Sequence, residues 1–180
     1  MKGEVEKLSS IGFIKEVDYP TWLANLVMVC KPKKGWCMCV DCTNFNRACP
    51  KDSFPLPRID QLMDATAGHA LLSLMDAYSG YNQIFMHLDD QAHTFFITDR
   101  GLYCYKVMPF GLKNFRATYQ HFVNSLFALL IGNIMEVYVN DMLVKSRTVA
   151  QHISNLSAMF TILKQYKMRL NPRSVPSAWL

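Results

Sequence analysis

The sequence predicts an α+β fold whose second half runs β-α-β-β-α-β, a ferredoxin-like split arrangement on an antiparallel sheet. Three observations carry this. Residues 70–76 form an apolar run that ends in an acid, Asp76. Phe115, Tyr119, Phe122, Val123, Leu126 and Leu130 recur at helical spacing and predict a helix over about 114–131. Residues 134–139 and 142–145 read as strands joined by Asn140 and Asp141, which tolerate left-handed angles and suit a tight hairpin.

The other elements follow in order. Residues 4–15 read as an amphipathic helix with Val5, Leu8 and Ile11 inward. Tyr19-Pro20 ends it, because the residue before proline avoids helical angles. Residues 24–31 and 36–41 predict two strands around the turn Lys31-Pro32-Lys33-Lys34-Gly35. Pro50, Pro55 and Pro57 mark an extended stretch before a short helix at 59–65. A further hairpin, 94–98 with 103–107, is inserted after the strand that ends at Asp76. Val149, Ile153, Leu156, Phe160 and Leu163 define a second long helix, and residues 168–171 supply a last strand.

Composition narrows the class. Of the 180 residues 51% are hydrophobic and 18% charged, enough apolar mass for a core and too little charge for wholesale disorder. The net charge of +5 permits a polyanionic partner without requiring one. The N-terminus has no apolar signal core and no run is long enough to span a bilayer, so an intracellular protein with no membrane partner is expected. The six cysteines are then reduced thiols. Cys39-x-x-Cys42 fits half of a zinc site, but no second close pair and no nearby histidine complete it, which favours packed thiols.

In a β-α-β-β-α-β sheet the first strand and the central hairpin lie side by side, so Asp76 and Asp141 are expected to meet. Two carboxylates held close repel each other unless a cation sits between them, and the hard, oxygen-preferring Mg²⁺ is the expected one. Two such ions roughly 4 Å apart can activate an attacking hydroxyl and stabilise a leaving pyrophosphate. In the alternative, Asp76 caps a turn and Asp141 is an ordinary turn residue. Two acids alone favour that alternative; the surrounding sequence reverses it.

Met75-Asp76-Ala77-Tyr78-Ser79-Gly80-Tyr81-Asn82-Gln83-Ile84 resembles the first metal-binding motif of gypsy-type reverse transcriptases of LTR retrotransposons. Cys39-Val40-Asp41 with Asn44-Phe45-Asn46-Arg47 resembles the fingers motif, and Phe54-Pro55-Leu56-Pro57-Arg58-Ile59 the proline-rich connector. Met108-Pro109-Phe110-Gly111-Leu112-Lys113-Asn114 is similar to the segment beneath template and incoming nucleotide. Tyr138-Val139-Asn140-Asp141 stands where the family has Tyr-x-Asp-Asp. The resemblance runs from about residue 5 to 172, and the nearest likeness is to plant elements.

The resemblance implies a reverse transcriptase domain over 1–172, with fingers at about 1–69 and an inserted hairpin at 85–113. The palm would occupy about 70–84 and 114–172, with a divergent tail at 173–180. It implies Asp76 and Asp141 as metal carboxylates holding two Mg²⁺, with Asn140 in the place of the third catalytic acid. Tyr81, Ala77, Phe110 and Gly111 would meet the incoming dNTP; Tyr81 would crowd a ribose 2′-hydroxyl, and its alternative is a core aromatic. Lys31, Lys33, Lys34, Arg47 and Lys113 would meet the RNA or DNA template and primer, and a solvated turn is the alternative for the lysines. Other Pol segments are further expected partners. Tyr119 and Gln120 read as helix packing.

Departures from the family pattern imply an impaired copy. Asn140 keeps an oxygen but lacks a charge. Cys37 stands where an arginine is expected, and a thiol lacks its fork of donors. The fingers turn is one residue short before Trp36, Phe115-Arg116 replaces a small pair, Phe85 and Leu88 replace prolines, and Phe96 replaces an alanine. Residues 173–180 leave the pattern with no thumb, connection or RNase H segment following, as in a degenerate, truncated remnant. Beside template-directed DNA synthesis stand a non-enzymatic nucleic-acid binder, a base-stacking RNA module of the same split fold, and a zinc module.

Overall fold

A computed structural model of the chain describes all residues except 1, 21, 32–34, 173–176 and 180, with side chains for all of these but 2, 31, 35–37, 177–179. Lys33 and Lys34, and the side chains of Lys31 and Cys37, therefore lie outside the described residues. The chain begins with α1 (Lys2–Ser10), β1 (Ile14–Glu16), β2 (Leu26–Lys31), β3 (Gly35–Val40), α2 (Thr43–Ala48), α3 (Ile59–Thr66) and β4 (Leu71–Asp76). It continues with α4 (Leu88–Gln91), β5 (Phe96–Thr98), β6 (Gly101–Tyr105), α5 (Phe115–Leu126), β7 (Met135–Tyr138), β8 (Asp141–Ser146), α6 (Val149–Gln165) and β9 (Ser177–Trp179). These form two compact units, Met1–Lys51 with Tyr81–Phe115, and Asp52–Gly80 with Arg116–Leu180.

The first unit holds the antiparallel sheet β1-β6-β5 and the β2-β3 ribbon, which runs in unbroken register from Leu26 opposite Val40 to Lys31 opposite Gly35. Its core gathers Val5, Leu8, Ile14, Met38, Val40, Cys42, Phe96, Tyr105 and Val107. The first helix stops earlier than its apolar spacing predicts. Gly12 adopts φ +75°, its N–H donates to Ser9, and the N–H of Phe13 donates to the Leu8 carbonyl. This is a Schellman end, which only a residue free of a Cβ enters cheaply. Ile11 is left 48% exposed, and residues 14–16 become a strand.

The second unit is the split β-α-β-β-α-β arrangement, with strand order β7-β8-β4-β9 and every pair antiparallel. Alternation along the strands sorts the side chains onto two faces. Leu71, Ser73 and Met75 of β4, Met135 and Val137 of β7, and Met142, Val144 and Ser146 of β8 share the buried face. Tyr119, Val123, Phe127, Met159 and Leu163 are buried in the same unit. The opposite face carries Leu74, Asp76, Tyr138 and Asp141.

Two sequence expectations shift here. Residues 168–171 form no strand: Leu170 makes a single bridge to Ala77, and β9 pairs with Leu71–Ser73 instead. The central hairpin turns on Val139-Asn140, not Asn140-Asp141, because Tyr138 pairs with Asp141 in the register that keeps Val137 opposite Met142 on the buried face. On α6 the inward residues are Asn155, Met159 and Leu163, whereas Val149, Ile153 and Phe160 are exposed, the last two on an open groove of about 870 Å³. Asn155 faces in because its amide donates to the Lys145 carbonyl and to Ser146 Oγ. His152 completes the tie, 2.8 Å from Ser73 Oγ and 3.0 Å from Ser146 Oγ.

Two polar elements anchor the sheet's other face. Lys145 and Glu136 form a 2.7 Å ion pair with side chains only 5% and 11% exposed. The Lys145 ammonium also donates to the Ala65 carbonyl at 2.9 Å, in the last turn of α3, where carbonyls have no partner within the helix. Among the described residues no helix is long and apolar enough to cross a membrane.

Candidate active site

The structure brings Asp76 and Asp141 together. Asp76 ends β4, Asp141 begins β8, and the two are directly opposite each other in the antiparallel register. Opposed residues of such a pair have Cβ atoms about 4.5–5.5 Å apart. Asp141 reaches solvent, yet partial loss of water and then the charge of Asp76 raise its carboxyl pKa above the ordinary value. Asp76 accepts a hydrogen bond at 3.2 Å from the side chain of Asn171, whose backbone N–H bonds the Asp76 carbonyl at 2.8 Å.

The hairpin is held from both sides. The N–H of Ala77, next to Asp76, donates to the Asn140 carbonyl at 3.1 Å. Gln120, fully buried in α5, accepts from the N–H of Val139 at 2.7 Å and donates to the Val137 carbonyl at 3.2 Å. Val139 sits at φ +52°, a conformation costly for a β-branched residue by about 1–3 kcal/mol. The sequence reads Gln120 as helix packing, and a lone buried glutamine carries no pattern that reveals this clamp.

Asn140 does not turn its oxygen toward the carboxylates' open face. Its Oδ1 is buried without a hydrogen-bond partner. A Cβ added at Gly80 would lie 2.7 Å from that oxygen and 2.9 Å from Tyr119 Oη, so any larger residue there has to displace one of these side chains. The donor set on the open face is thus two carboxylates. All-oxygen, doubly anionic and partly desolvated, it fits a hard divalent cation. Among the described residues no group of three His, Cys, Asp or Glu side chains gathers anywhere.

The other expected contact residues divide between the units. Ala77, 4% exposed, belongs with the acids. Tyr81, Phe110 and Gly111 belong to the first unit. Tyr81 is 5% exposed, with its ring edge-on to Phe115 at 4.6 Å and to Phe110 at 5.2 Å. The bulky Phe115 that departs from the family pattern is therefore packed on Tyr81. Gly111 takes φ +101° with only Val40 O near a hypothetical Cβ, at 3.8 Å, so conformation rather than close approach requires glycine. Its carbonyl accepts from the Asn46 amide at 2.7 Å, and the same amide's oxygen accepts from Lys113 N at 2.7 Å. The Lys113 ammonium donates to the Cys49 and Asn46 carbonyls at the end of α2, where Arg47 is exposed. Cys42 is buried, and burial, then the charge of Asp41, push its thiol up to about 11, far from the thiolate a metal needs.

Residues 29–173 match the model of the family described as "Reverse transcriptase (RNA-dependent DNA polymerase)". The chain belongs to this family. It is similar to reverse transcriptase regions of retrotransposon Pol polyproteins. It is 30% identical over 179 residues to the Pol polyprotein of transposon opus and 25% identical over 174 residues to that of transposon 297, both from Drosophila melanogaster. These alignments cover 95% and 94% of the chain but only 18% and 16% of the polyproteins. An RNA-directed DNA polymerase homolog of Oenothera berteroana is 31% identical over 122 residues, 66% of this chain and 86% of that protein. Among solved reverse transcriptase structures, the native prototype foamy virus protease–reverse transcriptase aligns with a TM-score of 0.83 at 20% identity, covering 98% of this chain and 24% of that one. A foamy viral protease–reverse transcriptase in complex with double-stranded DNA aligns with a TM-score of 0.87 at 21% identity, covering 99% and 37%. These likenesses establish the reverse transcriptase fold, α+β with antiparallel sheets.

Proposed function

We propose that this chain is the reverse transcriptase part of a gypsy-type LTR-retrotransposon Pol polyprotein, a copy weakened in its chemistry by Asn140. The observation that carries the reading is the opposed pair Asp76 and Asp141 on the open face of the sheet, where lost water and then the first carboxylate raise the pKa of the second. The reaction would be attack of a primer 3′-oxygen on the α-phosphorus of a dNTP directed by an RNA or DNA template, with pyrophosphate leaving. Asp76 and Asp141 would hold Mg²⁺. Once bound, Mg²⁺ supplies a lowered pKa for the 3′-hydroxyl and charge neutralisation for the triphosphate. Within that scheme Tyr81 would sit beneath the sugar, and Phe110, Gly111 and Ala77 near the nascent pair. Lys31, Lys33, Lys34, Arg47 and Lys113 would meet phosphates, Lys113 with its ammonium already shared by two carbonyls. Nucleic-acid-bound relatives of the same fold support the template and primer. The Oenothera homolog supports a plant element.

Impairment has a physical basis at position 140. The amide lacks the negative charge that the family places there, and its oxygen is buried beside Gly80. Loss of one key electrostatic group costs on the order of a hundredfold in rate. That same inward oxygen favours a second reading, a nucleic-acid binder without chemistry.

Primer extension on poly(rA)/oligo(dT), with Mg²⁺ and then Mn²⁺, tests both readings against an Asn140→Asp variant. Extension by the variant alone is the expected result. Equal extension by the unmodified chain overturns the impairment. No extension by either, with salt-sensitive retention of the duplex, selects the binding reading.

A further inference from the structure

The turn that delivers Asp141 is held by contacts from outside its own hairpin. Tyr138 and Asp141 pair across it, leaving Val139 and Asn140 as the two loop residues. A two-residue loop of this kind matches the twist of its strands only with positive φ at its first position, where glycine is the natural occupant. Here that position is Val139, at φ +52°. Its N–H, which no cross-strand partner can reach inside such a loop, points at Gln120 Oε1 at 2.7 Å.

The orientation of Gln120 is determined by its three bonds. Nε2 donates to the Val137 carbonyl at 3.2 Å and to Asn124 Oδ1 at 2.9 Å, while Oε1 accepts from Val139. Flipping the amide would set donor against donor at Val139 and acceptor against acceptor at Val137 and Asn124. The side chain is fully buried, so no water replaces these bonds. One amide thus reads the backbone on both sides of Tyr138, accepting after it and donating before it.

We infer that Gln120 is the positioning residue of the carboxylate pair: it compels Val139 into the left-handed conformation and so keeps Asp141 opposite Asp76. The inference rests on the reading of that pair as a divalent-cation site. Without the bond, Val139 relaxes toward negative φ, the loop changes type, and the first residue of β8 leaves its register. A partner that orients a ligand without touching the metal commonly governs a large share of affinity.

The experiment is a double-mutant cycle on the full chain with Gln120→Met, Val139→Gly and the pair, read by Mn²⁺ titration and by thermal unfolding in metal-free buffer. Methionine fills a similar volume and makes none of the three bonds. Glycine at 139 holds positive φ unaided, and its lost packing cancels within the cycle. Gln120→Met is expected to weaken Mn²⁺ binding about tenfold in the natural background and about twofold beside Val139→Gly. Equal losses in both backgrounds overturn the inference, as does unchanged affinity in a folded Gln120→Met. If Gln120→Met does not fold alone, recovery of folding by Val139→Gly supports the inference and failure to recover overturns it. If the unmodified chain binds no Mn²⁺, the reading of the pair as a cation site fails. The unfolding cycle then decides for Gln120: coupled shifts sustain its hold on the turn, and additive shifts refute it.

Discussion

Asp141 stands opposite Asp76 across adjacent antiparallel strands, and its carboxyl holds its proton more tightly than an isolated aspartate, through lost water and then through Asp76's charge. Because the folded pKa lies above the unfolded one, the group favours the fold below about pH 4 and that contribution is lost as pH rises through the folded value. At neutral pH the ionised side chain is a net cost, kept small by solvent. Asp141→Asn should therefore raise Tm in metal-free buffer at pH 7 by about 2 °C, with the gain vanishing near pH 4. Thermal scans at the two pH values check this; a lower Tm at pH 7 would show the carboxylate to be stabilising.

Lys145 serves two acceptors at once, Glu136 and the Ala65 carbonyl. Lys145→Met strands a nearly buried carboxylate and removes the ammonium that the Ala65 carbonyl of α3 accepts from. The cost should be about 3–5 kcal/mol in urea unfolding. Adding Glu136→Gln should recover part of it, because the stranded charge is then gone. Equal stability of the single and double variants would mean that Glu136 reaches water when its partner is removed.

Asn46 acts on residues 111–113 as a strand's backbone would, donating to Gly111 O and accepting from Lys113 N. Asn46→Ala should cost about 1–3 kcal/mol and speed hydrogen exchange at the Lys113 amide. Exchange at the unmodified rate would show that the Lys113 ammonium alone holds the segment.

The cysteines differ in reactivity for reasons of burial. With its thiol at about 11, Cys42 is roughly a thousandth thiolate at pH 8, whereas Cys30 is exposed. Iodoacetamide at pH 8 should alkylate Cys30 first and leave Cys42 and buried Cys104 last, as read by peptide mass spectrometry. Labelling of Cys42 should climb as pH approaches 11. Since its folded pKa is the higher one, the stability it lends is present at neutral pH and disappears through that range.

The order of elements and the meeting of Asp76 with Asp141 were legible because both follow from strand alternation and topology. The end of α1 was also written in the chain, as Gly12, but apolar spacing carried the expected helix past it to residue 15. On α6 Val149, Ile153, Leu156, Phe160 and Leu163 matched helical periodicity and the helix formed, yet of the five only Leu163 is buried, because hydrogen bonds from Asn155 select the inward side. Placing the turn at Asn140-Asp141 trusted local preference, whereas the buried register of Met135, Val137, Met142 and Val144 outweighed it. Gln120 and the Lys145–Glu136 pair left no trace in pattern, since single polar residues have no period.

Gly80 gives this architecture a signature that can be sought in inheritance. Its missing side chain is the space that Asn140 and the Tyr119 hydroxyl occupy, so a side chain gained at position 80 has to be matched by room given up at one of the other two. In any relative where a larger residue stands at the place of Gly80, a smaller one should stand at the place of Tyr119 or Asn140. An exchange of aspartate and asparagine at 140 changes the charge there and hardly the volume. A lineage can therefore cross between the two repeatedly while the packing around it stays as it was.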